Sequence, residues 1–358
     1  MTHALIALAV ALVAGGISAS LIPQLTALAH RLGLVQYPRE RDVHQKPVPR
    51  IAGLGIFIGF VVALAVSFWL PVDRFPIEVE RILLLLIGAT LVVGVMLWDD
   101  LVGISPFPKL LWQLVAAAIV IVPRLRGPDH GLVIEQFNSP FGGVVHLPLV
   151  AAILFTFFWI LGMMNTLNWI DGLDGLAGSV SLIACGVLFI HTFFRPAGNP
   201  QFTISLLPLA LGAAVLGFLP FNWHPARIIM GDSGAMFLGF TLAVISIIGG
   251  AKIATALLTL WVPILDVAWL ILYRLVNGRS PARADRGHLH HRLLDLGWSQ
   301  QQIVFFIAAI SAILGATSLL LPWPQLKLAA LVLAGVIGVV LLSVLARRTG
   351  QELKRAAD

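Results

Sequence analysis

The sequence predicts an all-α polytopic membrane protein: one bundle of about eleven (ten or eleven) transmembrane helices spanning residues 1–358, with a small extracytoplasmic β-hairpin. Three observations carry this. Of the 358 residues, 59% are hydrophobic and 11% are charged, and mean hydropathy is +0.95, well beyond what a soluble core requires. Apolar runs long enough to cross a bilayer recur along the whole chain. The Lys and Arg residues are divided unevenly between the loops that separate those runs.

The first run, 4–28, has no basic leader region and continues to span length, so it reads as a retained helix and not a cleaved signal peptide. Runs at 51–71, 81–98 and 108–123 follow, the last of them short. Between 124 and 146 lies the longest loop on its side. There Leu132–Phe137 and Val144–Leu147 flank a turn-rich Asn138–Gly143, the pattern of a hairpin lying on the membrane surface. Further runs at 147–165, 174–194, 203–220, 233–250, 252–274, 301–321 and 326–346 complete the set. The eighth and ninth are nearly fused, which leaves ten spans open. Cys185 is the only cysteine; it excludes an intrachain disulfide and reads as a buried, inert thiol.

Placing loop 29–50 in the cytoplasm puts 16 of the 23 basic residues on or beside cytoplasmic segments. These segments are 29–50, 99–108, 165–174, 220–232, 275–300 and the C-terminal tail. The outside loop is 124–146, with the N-terminus outside and the C-terminus cytoplasmic. The net charge of +6 is accounted for by this asymmetry, so no nucleic-acid partner is expected. The same topology sends every polar motif of the chain to one face.

Four motifs and one isolated acid stand out. Asp99-Asp100 ends the third span. Adjacent carboxylates at a helix C-terminus oppose the macrodipole, so they read either as an ordinary solvated end or as a cation site or base. Asn165-Thr166-Leu167-Asn168-Trp169-Ile170-Asp171-Gly172-Leu173-Asp174-Gly175-Leu176 places acids and carboxamides where charge is costly, although Asp-Gly pairs also serve turns. Oxygen donors of this kind suit Mg2+, or Mn2+ in its place. In Gly231-Asp232-Ser233-Gly234 the glycines permit close approach to a phosphate, and Asp232 is expected as the N-cap of the eighth span. Asn222 just upstream is a candidate partner for a base or ribose. The loop Arg283–Arg292 holds Arg286, His288, His290 and His291, donors suited to a pyrophosphate. A zinc site there lacks any supporting cysteine. Asp266, eight residues before Arg274, is expected to face the bundle interior as a supporting acid.

Together these residues resemble the polyprenyl-phosphate N-acetylhexosamine-1-phosphate transferase family (glycosyltransferase family 4), and most closely its bacterial undecaprenyl-phosphate GlcNAc-1-phosphate transferase branch. The resemblance spans roughly Arg39 to Gln300. Asp99-Asp100 is similar to the first acidic motif, and Asn168–Gly175 to Asn-x-x-Asp-Gly-x-Asp-Gly. Met230–Gly234 is similar to Met-Gly-Asp-x-Gly, and His288–His291 to the His-x-His-His loop. His44 with Pro47 and Pro49 resembles the first cytoplasmic loop. Three positions depart from the pattern: Ile229 replaces a Phe able to stack on uracil, Ala235 replaces a Ser, and Gly53-Leu54-Gly55 replaces a paired Gly.

The resemblance implies transfer of a sugar-1-phosphate from a UDP-sugar to undecaprenyl phosphate with release of UMP, an initiating step of a cell-surface glycan such as O-antigen. It implies Asp99, Asp100, Asp171 and Asp174 as catalytic residues, with Asp99 as the base. Mg2+ would rest on Asp232, Asn168 and Asp171. His288, His290, His291 and Arg286 would hold pyrophosphate and sugar, Asn222 and Gly231 would serve the nucleoside, and Lys109 and Asp266 would give support. A homodimer is left open. The nearest alternative is the same chemistry on UDP-MurNAc-pentapeptide, whose enzymes carry a run of consecutive His in that loop. A transporter would place its acids near the midplane and show a repeat; here they gather at one face.

Overall fold

A computed structural model of the chain describes residues 3–36, 47–139, 143–194, 201–250, 253–276, 278, 287–321 and 323–355. Among them, nine helices are long and apolar enough to cross a membrane. They are α1 (His3–Leu32), α3 (Pro76–Val102), α4 (Pro106–Ile121, continued by a 3-10 turn to Arg126), α5 (Leu149–Ile170), α6 (Leu176–Phe193), α7 (Phe202–Asn222), α8 (Gly231–Ile248), α12 (Gln300–Leu320) and α13 (Pro324–Arg355). The apolar α2 (Ala52–Ser67) is shorter. The ninth predicted span is broken. It is built from α9 (Ile253–Thr259) and α10 (Trp261–Val276), bent by 82° at Leu260. Each of the eleven predicted runs thus corresponds to a helix or to this bent pair. A short α11 (Leu289–Asp295) carries the His-rich motif.

The hairpin predicted after α4 forms, but later than its sequence pattern suggests. β3 (Gln136–Asn138) pairs antiparallel with β4 (Val144–His146), with Phe137 opposite Val145. Leu132 and Ile134 are buried instead. The Ile134 N–H donates to Thr156 Oγ1 at 2.9 Å and the Leu132 N–H to the Val120 carbonyl at 2.8 Å, so that stretch serves the core. A second two-stranded ribbon was not foreseen: β1 (Val35–Gln36) pairs with β2 (Val48–Pro49).

The core is organised around α8. Every residue of α8 is buried except Asp232. A helix that is apolar all round must be enclosed, and α8 is enclosed by α2, α3 and α5. Such enclosure in a membrane depends on packing and not on hydrophobic driving force, so small residues mark the closest approaches. A side-chain carbon added at Gly53 would overlap the backbone of Gly234. The same crossing is tied by hydrogen bonds from the Ile229 N–H to the Pro49 carbonyl (2.8 Å) and from the Gly53 N–H to the Met230 carbonyl (3.0 Å). Gly231 has φ +74°, and a carbon there would lie 2.6 Å from Asp100 Oδ2.

Two controls follow from this crowding. Gly231→Ala and Gly53→Ala are each expected to cost roughly 1–3 kcal/mol and to lower the thermal unfolding temperature of the detergent-purified protein. Gly94→Ala, at a position facing open space, is expected to leave it unchanged.

Candidate functional site

The site lies where the C-terminal ends of α3 and α5 meet the N-terminal ends of α4 and α8. Helix N-termini present unpaired N–H groups, and α8 brings its own into a buried setting. Asp100 answers them: its carboxylate accepts from the Asp232 and Ser233 N–H groups, both at 2.9 Å. The N-cap residue of α8 is Met230, which makes no side-chain cap. The expected N-cap role of Asp232 is therefore corrected. Asp232 stands in the first turn, and the cap is supplied across the bundle by α3. This frees the Asp232 carboxylate to face the mouth.

Three side chains converge on Asp232. Lys109, from the first turn of α4, is ion-paired with it and reaches Asp99 Oδ2 at 2.5 Å. Arg50, just before α2, places its guanidinium 3.0 Å from Asp232 Oδ1 and 3.8 Å from Asp100 Oδ1. Asn168, on the last turn of α5, hydrogen-bonds the same carboxylate. One turn deeper the same three helices meet again. Asn165 Nδ2 donates to Gln113 Oε1 at 2.8 Å, and Gln113 Nε2 contacts the Met236 sulfur at 3.6 Å. Residues four apart share a helix face, so Lys109 stands over Gln113 and Asp232 over Met236.

Asp171 terminates α5. Its edge reaches solvent, but burial pushes its carboxyl well above the ordinary range. Arg50 opposes that rise, while Asp232, Asp100 and Asp174 add to it. With all four acids ionised, Asp99, Asp100, Asp171 and Asp232 outnumber Arg50 and Lys109 by two charges. Among the described residues no group of three or more His, Cys, Asp or Glu forms a ready metal cage. Mg2+ does not need one: it takes one or two carboxylates and completes its shell with water and substrate phosphate. An all-oxygen donor set in which carboxylates outnumber cations fits such an ion.

The His motif approaches from the other side. Asp266 Oδ2 meets His288 Nδ1 at 2.9 Å, and Asp266 Oδ1 accepts the Leu289 N–H at 2.8 Å. Asp266 thus orients the first His and satisfies the start of α11. The Trp169 ring stands edge-on to His288 at 6.0 Å, and His288 stacks on His290 at 5.6 Å. His290 is buried against Gly172; a carbon added there would lie 2.6 Å from His290 Nε2. A larger residue at 172 would push the His loop from the acids.

Residues 82–250 match the family model described as glycosyl transferase family 4. Over 339 residues, covering 86% of this chain and 82% of the relative, the sequence is 33% identical to decaprenyl-phosphate N-acetylglucosaminephosphotransferase of Mycobacterium tuberculosis. It is 31% identical to the probable undecaprenyl-phosphate N-acetylglucosaminyl 1-phosphate transferase of Bacillus subtilis, covering 84% and 80%. The chain belongs to glycosyl transferase family 4. A more distant member, undecaprenyl-phosphate alpha-N-acetylglucosaminyl 1-phosphate transferase of Salmonella typhi, is 26% identical over 80% of this chain and 76% of its own. The family segment holds Asp99, Asp100, Lys109, Asn168, Asp171, Asp174, Asn222, Gly231 and Asp232. The His loop and Arg50 lie outside it.

Within this family member, two expected site residues are placed differently. Asp174 is buried and accepts from the Ala226 N–H at 3.1 Å, with His224 Nδ1 2.7 Å from the same oxygen. Asn222, also buried, accepts the Gly175 N–H and donates to the Ile228 carbonyl, both at 3.0 Å. Both ends of its carboxamide are engaged, so Asn222 and Asp174 lock the α5–α6 and α7–α8 loops together instead of opening onto the mouth. Asp99 is held by Lys109 and by the Ile104 N–H at 2.6 Å, and so anchors the Lys109 ammonium. Arg286 lies outside the described residues. Arg50 was missed in the sequence; its one signal is its place in Pro47-Val48-Pro49-Arg50, immediately ahead of a span.

Burial, together with His291 and His288, holds the His290 imidazole well below its ordinary pKa of 6.5. The folded chain keeps it neutral, while the unfolded chain takes up a proton below about pH 6.5. Its contribution is therefore complete above that pH and erodes as pH falls. His290→Gln is expected to flatten the decline in thermal stability between about pH 7 and about pH 5, read as the slope of unfolding temperature against pH.

Proposed function

We propose that this chain transfers an N-acetylhexosamine-1-phosphate from a UDP-sugar to undecaprenyl or a related polyprenyl phosphate, releasing UMP. The observation that carries the proposal is the cluster on Asp232: four carboxylates and two cations at the mouth of an apolar bundle, in a chain whose relatives are named as polyprenyl-phosphate N-acetylglucosamine-phosphate transferases. The amphiphilic acceptor calls for such a border site. Its phosphate belongs at the polar mouth and its prenyl chain in lipid.

In the reaction, an oxygen of the acceptor phosphate forms a bond to the β-phosphorus of the UDP-sugar. The bond from that phosphorus to the oxygen bridging the two phosphates breaks, and UMP departs with its electron pair. The products are polyprenyl diphospho-sugar and UMP. Such transfers depend on positioning and on neutralising charge as it develops. Asp232 and Asp171, with Asn168, would hold Mg2+, which supplies charge neutralisation across the pyrophosphate. Lys109, anchored by Asp99, adds a fixed positive charge beside it. His288 and His291 would meet the pyrophosphate and sugar as hydrogen-bond donors, His288 oriented by Asp266, with His290 packed behind them against Gly172. The acceptor phosphate is already largely dianionic at neutral pH, so no protein base is required, and Asp99 keeps its anchoring role. The distribution of Lys and Arg supports a cytoplasmic active face, and bacterial relatives support the inner membrane as its setting.

Purified protein given UDP-GlcNAc, polyprenyl phosphate and Mg2+ is expected to yield one UMP for each new lipid-linked sugar, with a panel of other UDP-N-acetylhexosamines fixing the preferred sugar. Asp232→Asn is expected to lower turnover at least about a hundredfold. Chelation is expected to stop the reaction and added Mg2+ to restore it. Absence of a lipid product across the whole panel overturns the assignment.

A further inference from the structure

We propose that Gln113 and Asn165 are positioning residues for the transfer: one turn inside the bundle, they set where Lys109 and Asn168 stand around Asp232. This rests on the reaction proposed above and deepens it.

The charged cluster needs such a device. Lys109, Asn168 and Asp232 come from three different helices, α4, α5 and α8. An ion pair and a hydrogen bond join the first two to the Asp232 carboxylate. A carboxylate accepts from several directions, so these contacts tolerate rotation of the helices that carry them. The level below is more demanding. Asn165 Nδ2 donates to Gln113 Oε1 and to the Leu161 carbonyl, both at 2.8 Å, so its own helix fixes the carboxamide that meets α4. Gln113 is 2% exposed and brings Nε2 to the Met236 sulfur at 3.6 Å.

Helical spacing ties the two levels together. Gln113 lies four residues after Lys109, Met236 four after Asp232, and Asn165 three before Asn168. Each lower residue therefore shares a helix face with the upper one. A rotation of α4 that parted Gln113 from Asn165 would swing Lys109 in the same sense. Stability gives little reason for carboxamides at this depth. Hydrogen bonds between helices inside a membrane contribute little net stability, and replacing both partners by apolar groups of similar shape is nearly neutral. What an apolar pair lacks is direction. Phosphoryl transfer depends on direction, because a charge displaced by about 1 Å lowers the rate by up to about a hundredfold.

Full-length protein carrying Gln113→Met together with Asn165→Leu would be compared with wild type, since replacing one partner alone strands the other carboxamide in the interior. The double variant is expected to stay monodisperse and to unfold within about 3 °C of wild type. It is expected to lose about 10- to 100-fold in kcat, with KM for the UDP-sugar and for polyprenyl phosphate each within about threefold of wild type. The Lys109 amine gives a readout independent of transfer. Its acylation by a small amine reagent, followed by mass spectrometry, is expected to run severalfold faster in the double variant. Wild-type kcat, a wild-type labelling rate, or a fall in activity accompanied by a raised KM and a lowered unfolding temperature overturns the proposal. If wild-type protein makes no lipid product, the transfer reaction itself fails, and the labelling rate alone decides whether the pair holds Lys109 in place.

Discussion

The start of α8 is a set of unpaired N–H donors carried to the rim of an apolar bundle, and nearly everything at the site follows from how they are satisfied. Asp100, from a different helix, accepts two of them. Burying such donors without a partner costs roughly 1–3 kcal/mol each, so the C-terminal end of α3 is held against the N-terminal end of α8. Because the cap comes from α3, Asp232 is released from capping its own helix. It becomes the one residue of α8 that is not buried, and Lys109, Asn168 and Arg50 gather on it. Asp99 and Asp100 therefore have separate duties despite being adjacent: one anchors a cation and the other terminates a helix.

Charge balance gives the second constraint. The mouth holds more carboxylates than cations, and the proton affinity of Asp171 is raised first by burial and then by its acidic neighbours. A soluble enzyme would dilute such an excess with water and salt. Here apolar helices surround it. The His loop is a separate module on the opposite side, joined to the acids through the backbone of Gly172 and held in place by Asp266.

Much of this was legible in the residues. Span-length apolar runs mark the helices because a bilayer demands them, and acids amid such runs mark the mouth because charge is costly there. What escaped notice has physical reasons. The 82° break between α9 and α10 falls within an unbroken apolar stretch, where hydropathy carries no directional signal. The inward role of Asn222 depends on Gly175, 47 residues away, and no local spacing encodes that. Asp232 looked like an N-cap because short acids before apolar runs usually are; a cap donated in trans cannot be read from one segment. Arg50 looked like one more basic loop residue of the kind the positive-inside rule already explains.

Beneath the charged layer lies the pairing of Gln113 with Asn165 beside Met236. It repeats, one helical turn down and without charge, the meeting of α4, α5 and α8 that Lys109, Asn168 and Asp232 make above. Two stacked rungs fix both the rotation and the axial offset of three helices. In exchanges of segments between relatives, α4, α5 and α8 consequently form a single cassette: moving α4 or α5 alone unpairs Gln113 and Asn165, and moving α8 alone takes away the Met236 sulfur that Gln113 contacts, even where every charged residue of the mouth is retained.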